Sequence, residues 1–276
     1  MCCLFPGLFN SDVGTTARKF NTEITPAGWA FSIWGVIYIW QALWIIYAIA
    51  SIFRKTEKGP RYRDPVLLSI PLLVCYLLNQ GLNVTWMFTW DRHFIEVAAG
   101  VLCAMVVTLY VCLFCSYRSL ANAKVTLIKQ GRGSDIWMTR ILVQNGLGTY
   151  AAWCTIATLL NFATALIYRT SGAISQQDGC SIALGILAAV FVLYALKDWF
   201  LTDKWTRYTV TPYVVLVYAL TASVAKNYEA GARNTVLTIV LLAIGILAMV
   251  VKFGLLFARH CKEARNAPNE NEENKV

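Results

Sequence analysis

Two asparagines and two tryptophans recur at helical spacing near residue 80. Asn79, Asn83, Trp86 and Trp90 follow one another at intervals of four, three and four residues, so on an α-helix they lie within about 60° of one face. The surrounding residues are apolar, and asparagine amides are costly to expose to lipid. They are expected to face neighbouring helices, where they either hold the helices together or bind a ligand.

Two other segments carry comparable stripes. The segment 26–53 has two aromatic faces, one with Trp29, Trp40 and Trp44 and one with Phe31, Trp34 and Tyr38. The segment 150–161 places three aromatic or amide residues within about 80° of one another on a helix. The residues of this second segment are Tyr150, Trp153 and Asn161. Aromatic rings with a few amides suit a flat, largely apolar ligand, because stacking supplies contact area and hydrogen bonds fix orientation. Periodicity alone favours helix packing, with ligand binding as the alternative.

Side chains that could carry out acid–base, nucleophilic or metal chemistry are scarce in the sequence. Inside the apolar segments only Glu96 and Lys252 are charged, both near segment ends, so no carboxylate pair for a proton or ion relay is visible. The sequence contains no Ser-His-Asp, Cys-His, HExxH or P-loop arrangement. It also has no CxxC pair, and its two histidines are expected on opposite sides of a membrane. The sequence therefore predicts neither an enzyme nor a metal site.

The elements that must position these residues are membrane helices. Of the 276 residues, 58% are hydrophobic and 14% are charged, against roughly a quarter charged in soluble proteins. The apolar residues form continuous blocks long enough to cross about 30 Å of hydrocarbon as helices. The seven blocks are 26–53, 66–90, 95–117, 141–168, 179–197, 209–225 and 234–257. We therefore predict an all-α, polytopic transmembrane helix bundle with about seven spans.

The basic residues alternate between the two sides of this bundle. Alternate connecting segments hold 6 and 18 of the 24 lysines and arginines, and the N-terminal segment belongs to the poorer set. The positive-inside rule then predicts the N-terminus outside and the C-terminus in the cytoplasm. Basic loops of this kind act as topology determinants and contact anionic lipids. The expected macromolecular partner is thus the lipid bilayer and not a nucleic acid.

Three motifs in order carry a family resemblance. They are PAGWAFSIWGVIY at 26–38, LNVTW at 82–86 and YAAWCTIATLLN at 150–161. In these motifs the sequence resembles the tryptophan-rich sensory protein and translocator protein (TspO/MBR-like) family, whose second, third and fifth helices carry similar patterns. The resemblance covers roughly residues 25–168. The family's first helix has no counterpart here, because residues 1–24 are too short and polar to span a membrane.

The resemblance implies an integral membrane protein that binds tetrapyrroles and sterols. Carried over by residue, the expected ligand-binding set is Trp29, Phe31, Trp34, Tyr38, Asn83, Trp86, Tyr150, Trp153 and Asn161. Together with the apolar blocks and the polar C-terminus, the resemblance divides the chain into four predicted parts: a short N-terminal segment (1–24), a four-helix region resembling the family (25–168), three additional transmembrane helices (169–258) and a disordered cytoplasmic tail (259–276).

The sequence thus predicts a multi-pass membrane binding protein, acting as sensor, chaperone or transporter for a flat hydrophobic molecule. No resident cofactor is expected, and a bound porphyrin, heme or sterol would be the ligand. Two alternatives stay open: a seven-helix receptor, suggested by topology, and a facilitator of small uncharged solutes. The choice of membrane and the formation of a homodimer are also left open.

Overall fold

The computed structural model describes residues 13–56, 59–170 and 172–265. Its helices are α1 Val13–Lys19, α2 Gly28–Phe53, α3 Ile70–Asp91, α4 Ile95–Lys129, α5 Gly133–Arg169, α6 Gln176–Leu201, α7 Asp203–Thr206, α8 Thr211–Asn227 and α9 Arg233–Arg265. The first turn of α2, Gly28–Ser32, is a 3₁₀ helix, and α5 and α6 contain π-helical segments at Thr139–Gln144 and Lys197–Leu201. After α2, the two-residue strands β1 Lys55–Thr56 and β2 Gly59–Pro60 pair antiparallel.

Each of the seven predicted segments contains a long helix, which confirms the all-α membrane bundle, but seven crossings are not confirmed. Among the described residues, five helices are long and apolar enough to cross a membrane: α2, α4, α5, α6 and α9. Helix α8 has 17 residues, about 25 Å at 1.5 Å per residue. Helix α3 is long enough at 22 residues, but Asn79, Gln80 and Asn83 lower the hydropathy of its middle. The predicted orientation stays a prediction.

Several helices extend past their predicted bounds. Helix α4 continues to Lys129, twelve residues beyond the predicted end at 117, because Leu120, Ala123 and Leu127 recur on one face and are buried. These residues form a small second core beyond the apolar segment, together with Leu67 and Ile136. Amphipathic spacing of this kind extends a helix without making it apolar.

The C-terminal prediction also needs correction. Helix α9 runs to Arg265, so residues 259–265 are helical where a disordered tail over 259–276 was predicted. Residues 266–276 lie outside the described part of the chain.

Helix α5 is the centre of the bundle. It packs against α2, α4, α6 and α8, while α3 packs along α4, and α9 packs on α6 and α8. Close approach of α2 depends on Gly146, where an added Cβ would lie 2.9 Å from the Trp40 ring. The Gln41 amide nitrogen donates to the carbonyl of the same glycine at 3.1 Å. The central helix therefore brings the two aromatic segments of the sequence side by side.

Ion pairs gather at the end of the bundle formed by the basic connecting segments, which we call the basic end. Asp135 accepts from Arg61 at 2.8 Å and from Arg132 at 2.9 Å. Between α6 and α8, Asp203 pairs with Arg207 and Arg259. Burial opposes ionisation of Asp203, but hydrogen bonds from both arginines outweigh it and hold the pKa of that carboxyl below its ordinary value.

One buried ion pair corrects the expectation that charge is almost absent from the interior. The Lys252 ammonium donates to both carboxylate oxygens of Asp198 at 2.8 and 2.9 Å, and both side chains are at most 3% exposed. The Tyr213 hydroxyl donates to the same carboxylate at 2.6 Å. The sequence predicts Asp198 in the connecting segment after residue 197. In the structure the π-helical end of α6 includes Asp198 and buries its side chain in the bundle.

Candidate ligand-binding site

Four aromatic side chains from α2 and α3 form a ladder of stacked rings. The Trp34 ring stacks on Tyr38 with centroids 5.7 Å apart and on Trp86 at 5.2 Å. Trp86 in turn stacks on Trp90 at 6.4 Å, with the planes 18° apart. The edge of Tyr150 from α5 meets Trp34 at 6.0 Å. The ladder buries large aromatic area and aligns several rings in near-parallel planes.

Asn83 joins α2 and α3, which carry the ladder, to α5, which carries Tyr150. Its Oδ1 accepts a hydrogen bond from the Tyr38 hydroxyl at 3.2 Å, and its Nδ2 donates to the Tyr150 hydroxyl. Both ends of this buried amide are therefore occupied by protein groups. Asn79 ties α3 to α4, because its Nδ2 donates to the Met105 carbonyl at 3.0 Å and to Thr108 at 2.9 Å. Its Oδ1, in contrast, has no hydrogen-bond partner among the described residues.

A cavity of about 40 Å³ lies beside the ladder, and we call it the aromatic cavity. A volume of this size holds roughly two or three water molecules. Its wall combines residues of the N-terminal segment with residues of α2, α3 and α5: Ala17, Phe20, Thr25, Phe31, Trp34, Trp86, Trp90, Trp153, Ala157, Leu160, Asn161 and Thr164.

Three buried polar atoms on this wall have no hydrogen-bond partner among the described residues. They are the indole nitrogens of Trp86 and Trp153 and the Oδ1 of Asn161. The Nδ2 of Asn161 is engaged, since it donates to the Ala157 carbonyl at 3.0 Å. Buried polar groups are nearly always paired. Two donors and one acceptor on one wall therefore provide hydrogen bonding that the fold itself does not use.

The N-terminal segment closes one side of the aromatic cavity. Phe20 lies just after α1, and its ring contacts Trp90 at 6.4 Å, His93 at 5.3 Å and Tyr168 at 5.4 Å. Sequence reasoning missed Phe20 as a wall residue, because the stretch 1–24 has no membrane-helix pattern. The short N-terminal segment thus supplies part of the cavity wall.

The predicted binding residues fall into three groups in the structure. Phe31, Trp34, Trp86, Trp153 and Asn161 line the aromatic cavity. Tyr38, Asn83 and Tyr150 form the hydrogen-bonded layer beneath it. Trp29 lies apart: its side chain is 51% exposed and its ring meets Tyr218 of α8 edge-on at 5.2 Å.

Comparison with known proteins is consistent with this architecture. The model of the TSPO-like protein family matches residues 5–253. No curated protein and no solved structure matches the chain. The family match extends past residue 168 and includes most of the three long helices that follow it. Because the match covers most of the 276 residues, the chain belongs to the TSPO-like protein family.

Proposed function

We propose that this protein is a membrane binding protein, not an enzyme, for a flat hydrophobic molecule such as a tetrapyrrole or a sterol. It would act as a sensor, chaperone or transporter of that molecule. The ligand would stack on the Trp34, Trp86 and Trp90 rings and accept or donate hydrogen bonds at the cavity wall. The protein would need no other cofactor.

The observation that carries this proposal is the set of three unpartnered polar atoms beside the ring ladder. Nine buried side-chain polar atoms lack a hydrogen-bond partner among the described residues, and three of the nine, two indole N–H groups and one amide oxygen, belong to residues of this one wall. Leaving such a group unpaired costs about 1–3 kcal/mol. A ligand with complementary acceptors and donors would recover that free energy on binding.

We expect Asn83 to support the site and not to contact the ligand directly. Its two hydrogen bonds to Tyr38 and Tyr150 hold α2, α3 and α5 in register. The hydrogen bonds to the ligand would come instead from Asn161, Trp86 and Trp153.

Binding requires the aromatic cavity to open. Pockets for drug-sized ligands measure about 300–1,000 Å³, far more than the 40 Å³ found here. We expect the part of the N-terminal segment around Phe20 to move, because α1 has only seven residues. Residues 21–25 would stay in place, since α5 and α8 hold them by hydrogen bonds to Asn21, Ile24 and Thr25. Displacing Phe20 would uncover the Trp90 face, and the ladder would then accept a further ring.

The test compares two double variants that each remove two tryptophans. Trp86→Phe with Trp153→Phe keeps an aromatic ring, the smaller phenyl group, at each position but deletes both indole N–H donors of the cavity. Trp29→Phe with Trp137→Phe is the control, since Trp29 and Trp137 are both exposed and absent from the cavity wall. Protoporphyrin and, separately, cholesterol are titrated into protein in lipid nanodiscs, and binding is followed by ligand absorbance or by a radiolabel.

We expect the cavity variant to bind at least one of the two probes about tenfold more weakly, since two neutral hydrogen bonds contribute about 1–3 kcal/mol. The control should bind as the parent protein does. Equal affinities of the two variants for both probes would remove the aromatic cavity as the binding site.

A further inference from the structure

A second cavity of about 650 Å³ opens near the basic end, between α4 and the end of α6 and floored by α5. It is large enough for a drug-sized ligand, and it shares no wall residue with the aromatic cavity. Aromatic side chains form much of its wall, notably Tyr110, Phe114, Tyr194 and Trp205. We call it the basal cavity.

Two exposed cations on this wall have no counter-ion among the residues that the structure describes. Arg118 and Lys197 both line the basal cavity, and within the described part of the chain neither takes part in a side-chain hydrogen bond or an ion pair. The one carboxylate on the wall, Asp198, does not neutralise them. It is held by two hydrogen bonds from Lys252 and one from Tyr213. The cavity therefore carries an uncompensated positive charge.

The charge and the apolar surface lie at different depths. Tyr110 and Arg118 are eight residues apart on α4, a rise of about 12 Å. The deep part, near Tyr110, belongs to the apolar segment 95–117, and Arg118 and Lys197 stand where the apolar segments 95–117 and 179–197 end. An occupant would thus have its apolar part among the rings and its acidic part near the membrane interface.

We propose that the basal cavity binds one anionic phospholipid, with an acyl chain along the aromatic wall and the phosphate between Arg118 and Lys197. The exposure of Phe114, which is 60% accessible, indicates that the wall is open to lipid on the α4 side. The basic end is also the end that the positive-inside rule assigns to the cytoplasmic leaflet, where anionic lipids concentrate. A sterol would leave both cations unpaired, and a zwitterionic phospholipid would bring a cation of its own beside its phosphate.

The experiment uses the full chain in nanodiscs of phosphatidylcholine containing one-tenth phosphatidylglycerol, and native mass spectrometry counts the lipids that stay bound after release into detergent. Arg118→Gln with Lys197→Gln removes the cavity charge. Arg63→Gln with Lys129→Gln is the matched control, because it removes one arginine and one lysine that are exposed at the same end. Ala121→Trp fills the mouth, at an exposed position that tolerates bulk, and keeps both charges.

We expect one phosphatidylglycerol per parent chain, a loss of at least tenfold in its occupancy in the Arg118/Lys197 and Ala121 variants, and no loss in the control. Equal loss in the two charge variants would mean that only surface charge attracts the lipid, which overturns the proposal. Retention in the Ala121 variant, or equal retention of phosphatidylcholine, would also overturn it. Because this experiment measures lipid occupancy and uses no porphyrin, its result tests the basal cavity independently of the aromatic cavity.

Discussion

Replacing Asn161 by leucine separates a ligand-binding role for the amide from a structural one. If Asn161 joins helices, losing it should destabilise the protein, as losing Asn83 should. If its Oδ1 is kept for a ligand, the variant should become more stable without ligand and bind more weakly. The two asparagines are a matched pair, because both are buried amides on the helices around the ring ladder.

The structure sets the expected magnitudes. At Asn161 the unpaired Oδ1 costs about 1–3 kcal/mol, while the single hydrogen bond to the Ala157 carbonyl contributes about 0.5–1.5 kcal/mol. Leucine removes both, so the net change should be a gain of about 1 kcal/mol in the free energy of unfolding. At Asn83 leucine removes two interhelical hydrogen bonds and no unpaired atom, so a loss of about 2 kcal/mol is expected.

Both variants can be measured by equilibrium unfolding with increasing sodium dodecyl sulfate in mixed micelles, followed by circular dichroism. Binding of protoporphyrin and of cholesterol is measured on the same samples. A stabilised Asn161→Leu variant with weakened binding of either probe supports the proposed site. Destabilisation by an amount similar to that of Asn83→Leu would show that the Asn161 amide is a packing group, and our reasoning about its unpaired oxygen would be refuted.

Two further predictions concern the buried ion pair and the cavity wall. Lys252→Met should lower the free energy of unfolding by about 3–5 kcal/mol, because it leaves the Asp198 carboxylate buried without its cation. Adding Asp198→Leu should restore most of that free energy in the same unfolding assay. A double variant no more stable than the single variant would contradict this prediction. Phe20→Ala should raise the association rate of protoporphyrin several-fold in stopped-flow measurements, because it widens the aromatic cavity on the side that Phe20 closes. The control is Phe94→Ala, which removes an exposed phenylalanine at the same end and should leave the rate unchanged.

Much of the architecture could be predicted from residue patterns. Long apolar blocks locate helices because a helix in lipid must satisfy its own backbone, and all seven blocks contain one. The pattern failed where a helix leaves the apolar region. Leu120, Ala123 and Leu127 continue α4 through a charged stretch, and the π-helical end of α6 brings Asp198 inside. In both places packing against another element, and not local hydropathy, determined the structure.

In the candidate site, too, the sequence predicted which residues are buried but not which of them are paired. Helical spacing put Asn79, Asn83, Trp86 and Trp90 on one face of α3, and the structure agrees in burying all four. Spacing could not tell which amide is satisfied by the fold. That depends on whether a partner from another helix lies within reach, as Tyr38 and Tyr150 do for Asn83 and as no described group does for the Oδ1 of Asn161.

By itself, the sequence determined that this chain folds as a helical membrane protein and that the stripe from Asn79 to Trp90 faces other helices, because burial periodicity and lipid solvation are local properties. Only the tertiary structure decided which aromatic and amide side chains meet, how small the cavity between them is, and that the N-terminal segment closes it. It also decided that Arg118 and Lys197 share a second cavity. Such facts depend on distances between residues far apart in the chain, and no local pattern records them.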